Sequence, residues 1–371
     1  MESNSKVIGI LGTAKNTGKT TTFNFLLEWS NSEKIKSGLT SIGYDGEDID
    51  NITGLPKPRI LIEKGNIIAT AEQCLFPFKD RIEIIEKTSV NTALGRVVIG
   101  KAKKEGMAIL AGPNKGIDLQ VIIQKLKQLR VELLLVDGAL NRMMPLIHCD
   151  ALIIATGASR HTDIGLLVDE IESMTRVFNL PIWEKEDIIK EEIRKYKNNI
   201  LIFQKNGCLK QLSGHSLLGH KTFSNLISII NDPEYDGVYI PGIIQETILK
   251  KIADKYYQLF QGKTIIINNP TFLLIGSREI NHLKDLIGDL LNKGINIKTL
   301  YNLPILAITI NPFYPKYNRL GKGSYEMASI DGLQLSEQMT GRITFPVINI
   351  REKESSKLLM EVKKFLKTGN K

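Results

Sequence analysis

Residues 12–20 read GTAKNTGKT, which resembles the pattern GxxxxGK[ST] but has five residues instead of four between its two glycines. In this pattern glycines let the chain wrap closely around a phosphate group, and successive backbone N–H groups point inward at it. The lysine, here Lys19, bonds β- and γ-phosphate oxygens, and the following hydroxyl, here Thr20, ligates Mg²⁺. The residues expected to bind the nucleotide are Gly12, Thr13, Ala14, Lys15, Asn16, Thr17, Gly18, Lys19, Thr20 and Thr21.

The sequence on either side of this loop predicts the elements that must position it. KVIGILG at 6–12 is a short apolar run, which is typical of a buried parallel strand. TTTFNFLLEWS at 20–30 places Phe23, Leu26 and Leu27 at helical spacing. The loop is therefore predicted to join a strand to a helix, whose positive N-terminal end adds to the attraction for phosphate.

Two acidic positions are candidates for the metal and for catalysis. LLLVDG ends an apolar run at Asp137, where a carboxylate can hold Mg²⁺ or its water. SIGYDGED places Asp45 at the end of the predicted second strand; Glu47 and Asp48 compete for its role, and a solvated acidic turn is the structural alternative. We expect 45–50 to be a switch segment. The catalytic assignment is Lys19, Asp45 and Asp137, and the metal assignment is Thr20, Asp45 and Asp137.

The sequence favours ATP over GTP. NKGID at 114–118 resembles the guanine-reading NKxD element, but it is one residue too long and precedes Asp137 instead of following it. Tyr44 and the turn at 157–159 have two interpretations, contact with a nucleotide or substrate and ordinary packing, and packing is the stronger of the two.

The pattern of elements predicts an α/β fold with a mostly parallel sheet covered by helices, because apolar strands alternate with helical segments. RILIEKGNIIAT at 59–70 and RVVIGKAKKEGMAILAG at 96–112 each have two apolar runs about a glycine turn, which predicts hairpins and a small antiparallel insert at 59–112. We place a P-loop NTPase domain at 1–180 and a second α/β lobe at 181–371.

Composition limits the function classes. The chain has 371 residues and a net charge of +9, but its lysines and arginines are scattered, so we expect no nucleic-acid partner. Cys74, Cys149 and Cys208 are far apart, which argues against disulfides and favours the cytoplasm. No signal peptide or membrane span is expected. The histidines, including the trio at 148–150, are not expected to bind metal.

Four stretches carry a family resemblance. They are VIGILGTAKNTGKTTT at 7–22, SIGYDGED at 41–48, LLLVDGALNR at 133–142 and DALIIATGAS at 150–159. In this order they are similar to the SIMIBI class of P-loop NTPases, which includes dethiobiotin synthetase and the chromosome-partition ATPases. More narrowly, they resemble the P-loop subunits of the reactivating factors of lysine 5,6-aminomutase, a cobalamin- and pyridoxal-phosphate-dependent enzyme of lysine fermentation.

This resemblance implies an ATP hydrolase that acts with a second subunit, an ATPase related to mismatch-repair proteins. Together they would use ATP and Mg²⁺ to exchange damaged cobalamin on the mutase. Partition ATPases carry a lysine at the loop's second position that reaches a partner's nucleotide, whereas this chain has Thr13 there and a lysine at Lys15. That difference argues against a dimer with a trans-acting lysine, although a homodimer of another kind stays open.

Two other functions remain. An ATP-dependent small-molecule ligase or kinase of the dethiobiotin-synthetase type would hydrolyse ATP only with its substrate present. A nucleic-acid-associated ATPase would show salt-dependent DNA binding, and it lacks the expected basic stripe with interleaved aromatic residues.

Overall fold

The computed structural model describes residues 5–43, 60–184, 187–196, 198–317, 325–351 and 355–368. The strands in these ranges are β1 (Lys6–Gly12), β2 (Ser37–Ser41), β3 (Ile60–Ile62), β4 (Ile67–Ala71), β5 (Ile82–Thr92), β6 (Gly95–Ala102), β7 (Gly106–Ala108), β8 (Leu133–Ala139), β9 (Ala151–Gly157), β10 (Ile200–Gln204), β11 (Leu209–Leu212), β12 (Tyr235–Ile240), β13 (Thr264–Ile267), β14 (Asn296–Thr299), β15 (Ile305–Asn311), β16 (Phe313–Tyr317), β17 (Tyr325–Ser329) and β18 (Val347–Asn349). The α-helices are α1 (Lys19–Ser32), α2 (Glu72–Leu75), α3 (Gly116–Gln128), α4 (Ile164–Phe178), α5 (Asp187–Lys195), α6 (His220–Ile230), α7 (Glu246–Lys255), α8 (Tyr257–Phe260), α9 (Thr271–Gly276), α10 (Leu283–Asn292), α11 (Gly332–Arg342) and α12 (Ser355–Lys367).

The chain forms two compact units, and the first is discontinuous. The first unit comprises Met1–Val168 and Pro304–Lys371, and the second comprises Asp169–Leu303. This division differs from the predicted boundary near 180, which left all later residues in the second lobe. The physical reason is strand pairing, because β15 adds beside β9 in the first unit's sheet and β18 adds beside β15.

The first unit is built on a nine-stranded sheet with the order β18-β15-β9-β1-β8-β2-β4-β6-β5. The seven strands from β18 to β4 pair in parallel. Ile8 and Ile10 of the central strand β1 pack into the core against α1, while Val7 and Leu11 on the opposite face are also fully buried. Burial on both faces is what the continuous apolar run of β1 requires. The predicted α/β class with a mostly parallel sheet is confirmed at this level.

The edge of this sheet is antiparallel, but its strands pair differently from the prediction. The expected hairpins would pair β3 with β4 and β6 with β7. Instead β3 pairs with β7 in a separate ribbon, and β4 pairs with β6, which forms a true hairpin with β5. Gly65 has the expected positive φ of 104°, so the turn was identified while the pairing was not. Rather than a separate insert, β4, β6 and β5 extend the main sheet.

Helix α1 follows the loop directly and packs on the sheet through the predicted positions. Phe23, Leu26 and Leu27 are fully buried, and Trp29 is nearly so. Burying side chains of this size stabilises the folded state by roughly 1.5–3 kcal/mol each. The C-terminal helix α12 packs against the same core through Leu358 and Val362 together with β15 and β18.

The second unit has its own five-stranded sheet, with the order β11-β10-β12-β13-β14. β12, β13 and β14 are parallel, while β10 forms a hairpin with β11 through a turn at Gly207, where φ is 86°. One face is covered by an aromatic cluster that includes Trp183, Phe203 and Tyr239. The second unit therefore has an α/β architecture with a hydrophobic core of its own.

Within the described ranges, no helix is both long enough and apolar enough to cross a lipid bilayer.

Candidate functional site

The loop at 13–18 connects the carboxyl end of β1 to the amino end of α1, at the centre of the first unit's sheet. Asn16 and Gly18 have positive φ angles of 61° and 88°, so the chain turns back on itself between the strand and the helix. Asparagine and glycine tolerate this left-handed conformation at the lowest cost. The predicted strand–loop–helix arrangement is present.

Lys19 and Asp137 meet across β1 and β8. Asp137 lies opposite Ile10 in the parallel register, which places its carboxylate near the carboxyl ends of β1 and β8, where the loop begins. The Lys19 ammonium donates to Asp137 Oδ2 at 3.0 Å and lies 2.9 Å from Oδ1. Each side chain is only 24% exposed. Lys19 can exchange Asp137 for an anionic ligand such as a phosphate, and Asp137 can exchange Lys19 for a metal cation.

The other flank of the loop is held by Asn311, at the carboxyl end of β15. Its Nδ2 donates to the carbonyl oxygen of Asn16 at 2.8 Å, and its side chain packs against Gly18. Its own carbonyl accepts from the N–H of Ala158 at 2.9 Å, while Gly157 lies so close that any side chain there would overlap Asn311. Asn311 thus ties the loop at 13–18 to the turn after β9.

Three threonines, Thr13, Thr17 and Thr156, fix the loop through neutral hydrogen bonds. Thr13 donates its hydroxyl to that of Thr156 at 3.0 Å, and its N–H donates to the carbonyl of Ala155 at 3.0 Å. Thr17 donates to the carbonyl oxygen of Ala14 at 2.9 Å. The N–H of Thr13 is therefore committed to β9, and the N–H groups at the amino end of α1 are the natural donors for a ligand.

The residues fit a magnesium–triphosphate group by two observations. Asp137 Oδ1 is a buried atom that lies 2.9 Å from the Lys19 ammonium but accepts no well-aligned hydrogen bond from the described residues, so it can turn to a metal or a metal-bound water once a phosphate draws Lys19 away. A Cβ atom added at Gly12 would lie only 3.1 Å from Lys19 Cδ, so the absence of a side chain at Gly12 leaves space for the Lys19 side chain. Thr20, the predicted metal ligand, is half-buried at the first turn of α1.

Some predicted residues are not part of this cluster. Asp45 lies outside the described residues, as do Tyr44 and the whole candidate switch at 45–50. NKGID at 114–118 leads into the first turn of α3, and Asn114 faces Gly43 after β2. The turn at 157–159 does contact the loop's support through Asn311, and Ser159 Oγ is a buried atom without a hydrogen-bond partner among the described residues.

The trio His148, Cys149 and Asp150 lies at the amino ends of the central strands, away from the loop. Asp150 accepts from the N–H of Val7 at 2.8 Å, where β1 begins. Burial lowers the pKa of His148, and burial together with Asp150 raises the pKa of the Cys149 thiol, which keeps it protonated. Among the described residues no group of three or more His, Cys, Asp and Glu side chains is arranged to hold a metal ion.

Asn311 is the residue that sequence reasoning missed. It lies 295 positions from Asn16, and only the pairing of β15 with β9 brings it to the loop. The sequence signal was the same as for Asp137, a polar residue directly after a buried apolar run, here in ITINPFYP at 308–315.

Comparison with protein-family models and with curated proteins gives no match to this chain.

Proposed function

We propose that the first unit is a P-loop ATPase site and that the chain couples ATP hydrolysis to work on a partner protein. The contact between Lys19 of the glycine-flanked loop and Asp137 at the end of the neighbouring strand carries this proposal. A loop at a helix N-terminus, one lysine and one carboxylate at a single sheet edge are the parts that phosphoryl transfer requires.

In the nucleotide-bound state we expect Lys19 to leave Asp137 and bond the β- and γ-phosphate oxygens. The Asp137 carboxylate is then free to hold Mg²⁺ or a water bound to it, and Thr20 supplies a hydroxyl ligand. The metal, when bound, neutralises charge that develops on the transferred phosphoryl group. The backbone N–H groups where the loop meets the amino end of α1 hold the phosphates in place, so these residues position and stabilise the reacting group.

The partner is proposed from the family resemblance of the four motifs, not from the site. In this proposal the chain is the P-loop subunit of a reactivating factor that exchanges damaged cobalamin on lysine 5,6-aminomutase, together with a mismatch-repair-like ATPase subunit. Loss of the γ-phosphate would release contacts near the Lys19–Asp137 pair and so change the grip on the partner.

The test is ATP turnover and mutase recovery, measured on the wild type, Lys19→Ala and Lys104→Ala. Lys104 is an exposed lysine on the β6–β7 connection and serves as the matched control. Each variant is assayed alone and then with inactivated mutase, adenosylcobalamin and the second subunit. We expect turnover and recovered activity to disappear in Lys19→Ala and to persist in Lys104→Ala.

Two results would redirect the proposal. Turnover that ignores the mutase but rises with a carboxylate or amine metabolite would favour a ligase or kinase of the dethiobiotin-synthetase type. Equal ATP binding by the wild type and Lys19→Ala would show that residues 12–20 are not the nucleotide site.

A further inference from the structure

A two-stranded ribbon, formed by β16 and β17, leaves the first unit directly after Asn311. The two strands pair antiparallel with each other, and neither pairs with another of the described strands. The ribbon begins two residues after Asn311, which ends β15 and holds the loop at 13–18. Its base is closed by the N–H of Ile330, which donates to the carbonyl of Pro312 at 3.0 Å. The ribbon and the candidate nucleotide loop therefore meet at Asn311.

The carboxamide of Asn311 bonds the loop with one end and the ribbon with the other. Its Nδ2 donates to the carbonyl of Asn16 at 2.8 Å, and its Oδ1 accepts from the N–H of Phe313, the first residue of β16, at 3.3 Å. The main chain of Asn311 is fixed separately, because its carbonyl accepts from the N–H of Ala158 and lies against Gly157. A rotation of the carboxamide therefore changes the loop bond and the ribbon bond together, on a main chain that stays in place.

The ribbon is an element whose order depends on contacts at its base. A two-stranded ribbon is only marginally stable unless it packs on something larger. Met327 at the centre of β17 is 57% exposed, and its neighbours Tyr325 and Glu326 are exposed as well. At the base, the ring of Phe313 lies 5.0 Å from the Arg351 guanidinium carbon. Elements of low local stability are the ones that respond when a ligand binds elsewhere.

We propose that Asn311 couples occupation of the loop to the order of the ribbon, so that the ribbon is fixed when nucleotide is bound and looser when the loop is empty. This inference rests on the proposed function. Phosphate held at the amino end of α1 fixes the loop, including the Asn16 carbonyl, and so holds the Asn311 carboxamide in the orientation that also accepts from Phe313. The coupling is reciprocal, so a partner that orders the ribbon tightens nucleotide binding by the same factor.

Hydrogen–deuterium exchange of the full chain, with and without Mg²⁺ and a non-hydrolysable ATP analogue, tests this coupling. Calorimetry on the same samples shows whether the analogue binds and at what concentration it saturates the protein. We expect the saturating analogue to slow exchange of the ribbon amides, at 313–317 and 325–329, by about five- to tenfold, which is the lower end of the couplings measured between distinct sites.

Three variants separate the coupling from stability. Asn311→Ala removes both side-chain bonds, whereas Asn311→Asp keeps the acceptor for Phe313 and loses the donor to Asn16. Both should still bind the analogue at saturating concentration, but their ribbons should no longer respond to it. Thr309→Val is the matched control, because it loses a buried hydrogen bond in the same strand and leaves both Asn311 bonds intact. Its ribbon should respond as in the wild type.

Three outcomes would overturn the coupling. Unchanged ribbon exchange in wild-type protein that binds the analogue would show that the ribbon does not respond to the loop. A response that persists in Asn311→Ala would show that it takes another path, and one that disappears in Thr309→Val would show that it follows stability alone. If the wild type binds no nucleotide, the proposed function itself fails, and calorimetry distinguishes that result from a loss of coupling.

Discussion

The two flanks of the loop at 13–18 hold it by different chemistry. On the β8 side the contact is an ion pair between Lys19 and Asp137, at 2.9 and 3.0 Å. On the β9 and β15 side the contacts are neutral, through the Asn311 amide and the Thr13 hydroxyl.

This difference separates the exchangeable part of the site from its scaffold. A phosphate competes with Asp137 for Lys19, and a metal ion competes with Lys19 for Asp137, so the charged flank can rearrange when a ligand binds. No charged group of a triphosphate competes for the hydrogen bonds of Asn311 and Thr13. A buried polar group that loses its hydrogen bond costs free energy, so these bonds should persist when a ligand binds. We therefore expect changes on the charged flank to alter activity, and changes on the neutral flank to alter stability.

The largest effect is expected from Asp137→Asn. Turnover should fall on the order of 10²-fold, the size seen when one charge-stabilising group is removed from a catalytic site. Nucleotide binding in EDTA should become about two- to fivefold tighter, because Lys19 no longer has a carboxylate partner. Single-turnover kinetics and metal-free titration measure the two effects.

Asp289→Asn is the matched control for this change. It removes a carboxylate from an ion pair with Lys293 in the second unit, at 2.8 Å, and should alter neither quantity. If Asp137→Asn leaves turnover intact, or weakens metal-free binding, the ion pair is not the exchangeable contact described above.

The sequence singled out both residues of the charged flank, Lys19 and Asp137, and Thr13 of the neutral flank, but it missed Asn311. β1, the loop, α1 and the acid after β8 each follow from a local pattern of apolar residues, glycines and polar ends. Asn311 reaches the loop only because β15 joins the same sheet, and no local periodicity encodes that pairing. The predicted lobe at 181–371 differed from the structure for the same reason.

At the antiparallel edge of the sheet, too, the local structure was predicted while the strand partners were not, although these strands are closer in sequence. Turn chemistry at Gly65 was predicted from the sequence, yet the strands beside it pair with β7 and β6 instead of with each other. A turn residue fixes the local backbone, while the partner of a strand depends on tertiary packing. Asp45 lies outside the described residues and stays a prediction.

The buried pair Thr22 and Thr309 sharpens the comparison on the neutral flank. Thr22 donates its one hydroxyl hydrogen to the carbonyl of Gly18 at 3.1 Å, so Thr309 must donate to Thr22. Thr22→Val loses both bonds and leaves the Thr309 hydroxyl buried without this partner, which should cost about 1–3 kcal/mol. Thr309→Val leaves the Gly18 bond intact and should cost about 1 kcal/mol.

Urea unfolding followed by Trp29 fluorescence measures both changes. The chain has two tryptophans, Trp29 in α1 and Trp183 in the second unit, so a Trp183→Phe background reports the first unit alone. A Thr309→Val variant as unstable as Thr22→Val would contradict the donor assignment.

The smallest effect concerns the loop backbone at Asn16, whose φ is 61° and whose carbonyl accepts from Asn311. Alanine is disfavoured in this conformation, so Asn16→Ala should cost about 1 kcal/mol by the same fluorescence measurement. Asn16→Gly adopts it freely and should change stability by only a few tenths of a kcal/mol, since glycine gains freedom in the unfolded chain. Neither change alters the Lys19–Asp137 ion pair. Metal-free nucleotide binding should therefore weaken only as far as the first unit loses stability, without the tightening expected for Asp137→Asn. Equal stability of the two variants would mean that the neutral flank does not hold the loop in its left-handed turn.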